Sequence, residues 1–151
     1  MPDTAAVDNE VRLHIYDTFL SRGAPPSVAE TARALTMPDA DADAAYERLA
    51  ASRVIVLRPG TRDVLMAAPL SAVPTRFSVR VGDGRSYYAN CVWDALGVLS
   101  MLGRDGVVDA TCADCDAAVE LRVEHGELAP SDAVVHFAVP AARWWEDIVF
   151  T

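Results

Sequence analysis

Three cysteines and one aspartate hold most of the chemical potential of this sequence. Cys91 and Asp94 stand three residues apart where the stretch NCVWDALGVLSML, residues 90–102, begins. Residues i and i+3 share a helix face, so a thiol and a carboxyl at this spacing can converge on one site. At a helix start the unpaired amides and the positive dipole end make a thiol more acidic. A carboxyl in an otherwise apolar helix either finds hydrogen-bond donors or has its pKa raised by desolvation and stays a proton donor near neutral pH. The plain structural alternative is a buried Cys packing as a small hydrophobe beside an Asp that caps a turn.

Cys112 and Cys115 form Cys-Ala-Asp-Cys, the spacing of a two-ligand knuckle for a thiophilic metal. Structural zinc takes four ligands, so further ones must come from elsewhere. Cys91, His14, His125 and His136 are available, and none repeats the knuckle spacing. A thioredoxin-like redox pair needs its first Cys to open a helix, whereas the flanks VVDAT and AAVELRV read as strands. Two ordinary loop thiols remain the alternative. His136, in the alternating run Val134 to Val139, reads as a strand residue, and Trp144 and Trp145 read as packing aromatics. P-loop, Rossmann glycine, Gly-x-Ser-x-Gly and His-Glu-x-x-His motifs are all missing, which leaves nucleotide-dependent and serine-hydrolase readings without support.

The elements that must position these residues follow from periodicity. Val11, Ile15 and Phe19 fall four apart in a helix over residues 9–20. Ser27 and Glu30 have capping-box spacing, so a second helix is expected from Val28 to Leu35. Residues 39–52 are Ala-rich, with Tyr46 and Leu49 on one side of a third helix. Val54 to Leu57 and Val64 to Ala67 form a hairpin across the turn RPGTRD. Three helices followed by a hairpin is the order of a winged helix. Beyond Pro69 and Pro74 come candidate strands at 76–81, 85–88, 107–111, 118–123 and 133–139, with residues 90–102 long enough to be a buried helix ending at Gly103. The expectation is an α+β chain: residues 1–71 a winged-helix-like part of three helices and a hairpin, and residues 72–151 a mostly antiparallel sheet around a buried helix.

Composition narrows the function. The chain has 151 residues, 52% hydrophobic and 23% charged, enough apolar material for a core in one ordinary domain or two small ones. Its net charge of -9 opposes attraction to nucleic acid or anionic lipid. Residues 1–70 hold seven Arg against ten acids, a local charge of -3, and the second helix has a single Arg33. The winged-helix order is therefore read as a packing module with no nucleic-acid partner. All thirteen basic residues are Arg, which excludes lysine-nucleophile chemistry. A polar, acidic start and the lack of an apolar run of ~18 residues point to a cytoplasmic protein with reduced thiols and no membrane partner.

Read together, RFSVRVGDGRSYYANCVWDALGVLSMLGRDGVVDATCADCDAAVELRV resembles the catalytic core of the organomercurial (alkylmercury) lyase family. The features that match are the aromatic pair Tyr87-Tyr88 before the helix, Cys91 and Asp94 opening it, and Cys112 some twenty residues on. The resemblance implies cleavage of a carbon–mercury bond by protonation, with cysteine thiolates holding mercury and an aspartate delivering the proton. Soft thiolates prefer soft metals, so the chemistry is coherent. Carried over by position, Cys91 is the first thiolate ligand, Asp94 the proton shuttle and Cys112 a structural cysteine. The family's second mercury-binding cysteine falls at or just beyond Thr151, so the core is expected to be truncated there, and Cys115 is the substitute within the chain. No cofactor is required, mercury being part of a small organometallic substrate. Two alternatives remain open. One is a non-catalytic protein that binds or senses mercury, copper or zinc through Cys91, Cys112 and Cys115; the other is a divergent member acting on a non-mercury substrate.

Overall fold

Val11, Ile15 and Phe19, the residues whose spacing marked the first helix, are all buried on α1 (Thr4–Arg22). The computed structural model describes residues 4–148. Ser27 caps α2 (Val28–Ala34) in the expected capping box: its hydroxyl accepts from the Glu30 amide, while the Glu30 carboxylate accepts from the Ser27 amide at 2.7 Å. Ala42, Ala45, Tyr46 and Leu49 form the buried side of α3 (Asp39–Ala51), and Arg48 ties α3 to α1 through Asp8 at 2.6 Å.

Eight strands follow: β1 (Val56–Leu57), β2 (Val64–Ala67), β3 (Leu70–Ser71), β4 (Phe77–Val81), β5 (Ser86–Ala89), β6 (Gly106–Thr111), β7 (Ala118–Glu124) and β8 (Glu127–Leu128). They make one sheet in the order β1-β2-β3-β5-β4-β6-β7-β8, and every pairing in it is antiparallel. The mixed helix and antiparallel-sheet architecture is thus the one expected. The sheet and a single apolar cluster, reaching from Val11 on α1 to Leu121 on β7, both run through the boundary expected at residues 71–72. Tyr16 and Tyr87 lock α1 to the sheet: Tyr16 donates to the Ala68 carbonyl at 2.7 Å, and Tyr87 to the Leu20 carbonyl at 2.6 Å.

The apolar segment between β5 and β6 is helix α4 (Val92–Leu102). Ala95, Val98 and Leu99 enter the core, while Trp93 and Met101 are exposed, so one face is buried rather than the whole helix. Gly103 ends it in the left-handed conformation at φ 58°. Gly106 lets the sheet approach, since a Cβ there would stand 2.4 Å from the Arg80 carbonyl and 2.7 Å from Leu99. No described helix is long and apolar enough to cross a membrane.

The strand expected at 133–139 does not form. Residues 131–138 are all exposed and pair with no described strand, and Val134 is 89% exposed. Alternation alone does not make a strand without a neighbour. The sheet already ends in the short β7–β8 hairpin, and Pro130 and Pro140 deny the segment amides at both ends. The chain passes instead over the start of α4 and enters a 3₁₀ turn, Ala141–Glu146.

Candidate functional site

Helix α4 begins with a sulfur in place of the usual hydroxyl. Cys91 is its N-cap, with extended backbone (φ -149°), and its Sγ accepts from the Asp94 amide at 3.4 Å and from the amide of Trp93. Asp94 follows three residues on, and the neighbouring Asn90 and Cys91 side chains both favour its ionised form. The sulfur takes the Asp94 amide as a capping-box hydroxyl would, without the reciprocal carboxylate bond that Glu30 makes to the Ser27 amide. Sequence spacing placed these two residues together, and both line one cleft.

Burial governs the electrostatics of the pair. It pushes the Cys91 thiol above its ordinary pKa, overriding the amides of Asp94 and Trp93 that pull it down. The acidified thiol expected from helix-start position alone is therefore not what forms; the desolvation that opposes charge on sulfur is the larger effect. Burial likewise lifts Asp94 above the usual carboxylate range, against the donors Asn90 and Cys91. That is the direction expected of a carboxyl in an apolar helix, and it makes the carboxylate a better proton acceptor that can take a proton and give it up again nearer neutrality.

A cleft of about 190 Å³ opens over Cys91 and Asp94. Its walls include Met66 and Ala68 from the sheet side, Trp93 from α4, and Phe137, Trp144 and Trp145 from the C-terminal segment. Phe137 and Trp144 meet with ring centroids 5.1 Å apart, the Trp144 indole donates to the Val139 carbonyl at 2.8 Å, and the Arg53 guanidinium lies 5.3 Å from the Trp145 ring centre. An apolar cavity of ~150 Å³ takes up benzene, so this one has room for a small aryl or alkyl group. Sequence reading took Trp144 and Trp145 as core packing and gave Asn90 no role. The available signal was the concentration of Phe137, Trp144 and Trp145 within nine residues.

Cys112 and Cys115 lie on the β6–β7 turn. The Cys112 amide donates to the Ala117 carbonyl at 2.8 Å and the Asp116 amide to the Cys112 carbonyl at 3.0 Å. The amides of Cys115 and Asp114 and the Cys115 thiol favour a charge on the Cys112 sulfur and hold its pKa below the ordinary thiol value. Among the described residues, no three of His, Cys, Asp and Glu gather as one metal-binding group, so Cys112 and Cys115 stand as a pair. Thr111 and Ala113, on either side of Cys112, nevertheless wall a groove that Cys91 also lines. His136 borders that groove from an exposed loop rather than a strand.

The sequence profile of the alkylmercury lyases, MerB, matches residues 70–151, more than half of the chain. The chain belongs to the alkylmercury lyase family. A solved structure described as the mercury-bound form of MerB2 shares its fold at a TM-score of 0.65 and 21% identity, covering 83% of this chain and 59% of that one. This chain therefore spans less than two thirds of the length of that one. No curated protein matches. The profile takes in Cys91, Asp94, Cys112 and the aromatic C-terminal segment, and leaves α1, α2 and α3 outside.

Proposed function

We propose that this chain cleaves carbon–mercury bonds by protonolysis, with Cys91 as mercury ligand and Asp94 as proton carrier. The observation that carries the reading is the placement of Cys91 and Asp94 side by side at the start of α4, the Asp94 amide on the Cys91 sulfur at 3.4 Å and both residues lining an aromatic cleft. Membership of the alkylmercury lyase family supports the same chemistry. The substrate is an organomercurial R–Hg–X, its R group resting against Trp93, Phe137, Trp144 and Trp145. As the Cys91 sulfur bonds to mercury, its proton passes to the Asp94 carboxylate and X departs. Asp94 then delivers that proton to the carbon, the electron pair of the C–Hg bond becomes the new C–H bond, and the hydrocarbon leaves. Mercury remains as Hg2+ on sulfur and nothing is oxidised or reduced. Asn90, donating to Asp94, keeps the carboxyl aimed at the cleft.

The resemblance sets the family's second mercury-binding cysteine at or just beyond Thr151, outside the described residues. The three helices and the β1–β2 hairpin, residues 1–71, serve in this reading as a winged-helix-like platform. It supports the lyase-like core, residues 72–151, with α4 as that core's central helix, and its charge gives it no affinity for DNA.

The test is benzene release from phenylmercury acetate by the purified chain, with bound mercury measured in the same sample. Stoichiometric benzene is expected. Mercury bound as intact phenylmercury, with no benzene, overturns the proposal in favour of thiol sequestration.

A further inference from the structure

The dithiol of the β6–β7 turn plays no part in the protonolysis above, and its construction is that of a ligand site. The hairpin pins both ends, with Thr111 opposite Ala118 in the ladder. The turn between them is closed by the Cys112–Ala117 and Asp116–Cys112 backbone bonds, with Asp116 at φ 55°. That turn holds the two cysteines three residues apart at the tip of the hairpin, where the Cys115 and Asp114 amides and the Cys115 thiol lower the Cys112 pKa. Cys112 is half-buried and Cys115 exposed, and both are free thiols. Asp114 lies between the two cysteines and Asp116 directly after them, adding negative charge that favours a cation.

We propose that Cys112 and Cys115 form a second mercuric-ion site, holding Hg2+ between two thiolates and receiving the ion set free at Cys91. The donor set selects the ion. Structural zinc takes four ligands, and among the described residues no third His, Cys, Asp or Glu joins the pair. A soft ion satisfied by two sulfur ligands is the one that fits. Binding forms two S–Hg bonds and releases the two thiol protons to solvent, with no change of oxidation state. In the handover, the bond from mercury to Cys91 breaks as the second bond to the pair forms, and the Cys91 thiolate takes up a proton. Thr111 and Ala113, the chain neighbours of Cys112, line the groove that Cys91 also lines, which sets the β6–β7 turn at its edge. The handover rests on the lyase reading of Cys91, whereas the site itself does not.

The experiment uses the full chain and two probes, HgCl2 and phenylmercury acetate. With HgCl2 and a large excess of glutathione, Cys91→Ser should retain one mercury per chain after gel filtration. Cys91→Ser combined with Cys115→Ala should lose it about tenfold more readily, since one thiol no longer gains from the effective concentration of the other. ZnCl2 should not be retained by either. Cys115 is exposed, so its replacement leaves the fold intact; circular dichroism checks this. No mercury on Cys91→Ser, or equal retention by the two variants, overturns the site. With phenylmercury acetate, peptide mapping after benzene release should find mercury on the peptide holding Cys112 and Cys115. Benzene release with mercury left elsewhere overturns the handover alone. Absence of benzene while HgCl2 is still held by the pair overturns the lyase reading, and the handover with it, and supports the site.

Discussion

Cys91 and Cys112 are both half-buried thiols with nearby backbone amides that favour their ionised form, yet their acidities move in opposite directions. Cys91 sits against an apolar cleft and the carboxyl of Asp94, so burial dominates and its proton is held more tightly. Cys112 sits on a solvent-facing turn where desolvation is small, so the amides of Cys115 and Asp114 dominate and its proton is released more easily. Amide donation to sulfur is therefore not sufficient to make a reactive thiolate. At Cys91 burial disfavours the thiolate, which forms as mercury binds and the proton passes to Asp94; on the turn amide donation favours the thiolate. The first arrangement suits a step that must pass a proton to carbon, and the second suits holding an ion.

The largest effect expected from breaking this contrast is at Cys91. Cys91→Ser should abolish hydrocarbon release from phenylmercury, read by gas chromatography, because serine oxygen is a poor ligand for a soft metal. Residual turnover within tenfold of the parent chain would move the mercury ligand elsewhere.

Asn90 gives a smaller and more diagnostic change. Its amide donation pulls the Asp94 pKa down against burial. Asn90→Ala should therefore move the Asp94 limb of the pH–rate profile to higher pH and lower the rate by about tenfold, below the 10²–10⁴ typical of losing a general acid or base outright. An unmoved limb would show that Asn90 does not act through Asp94.

Alkylation sharpens the comparison directly. As pH rises, iodoacetamide should modify Cys112 at lower pH than Cys91, followed by peptide mass analysis. The reverse order would contradict the assignment of burial to one site and amide donation to the other.

The smallest effect is on stability. Because burial raises the Asp94 pKa, the protonated carboxyl is the form the folded state favours. Its stabilising contribution is present below the unfolded carboxylate pKa and is lost as pH rises through the folded value. Asp94→Asn carries no such titration, so its Tm relative to the parent should climb between acidic and mildly alkaline pH, at roughly 2–4 °C per kcal/mol in a chain of this size. A Tm difference independent of pH would place the carboxyl in water.

Much of the scaffold was legible in the sequence because local rules acted without opposition. The four-residue spacing of Val11, Ile15 and Phe19, the Ser27–Glu30 box and the RPGTRD turn each specify their own structure and reappear in place. The meeting of Cys91 and Asp94 was legible for the same reason, as three residues along one helix fix it. The acidity of Cys91 was not, since desolvation depends on what the distant Phe137, Trp144 and Trp145 cover. The run from Val134 to Val139 misled because alternation reports a capacity to pair, while pairing needs a free neighbouring edge. Asn90 was legible only as one polar residue in an apolar stretch, and its donation to Asp94 emerges from the backbone turn ahead of α4.

The central claim, that one thiol captures mercury while one carboxyl delivers the proton, is tested most directly by separating capture from turnover in Asp94→Asn. Bound mercury and released benzene are measured on the same samples of parent and variant chains under single-turnover conditions with phenylmercury acetate. The account predicts equal mercury capture with benzene formation slowed about 10²–10⁴-fold, the usual consequence of removing a positioned acid. Benzene formed at the parental rate by Asp94→Asn would contradict it.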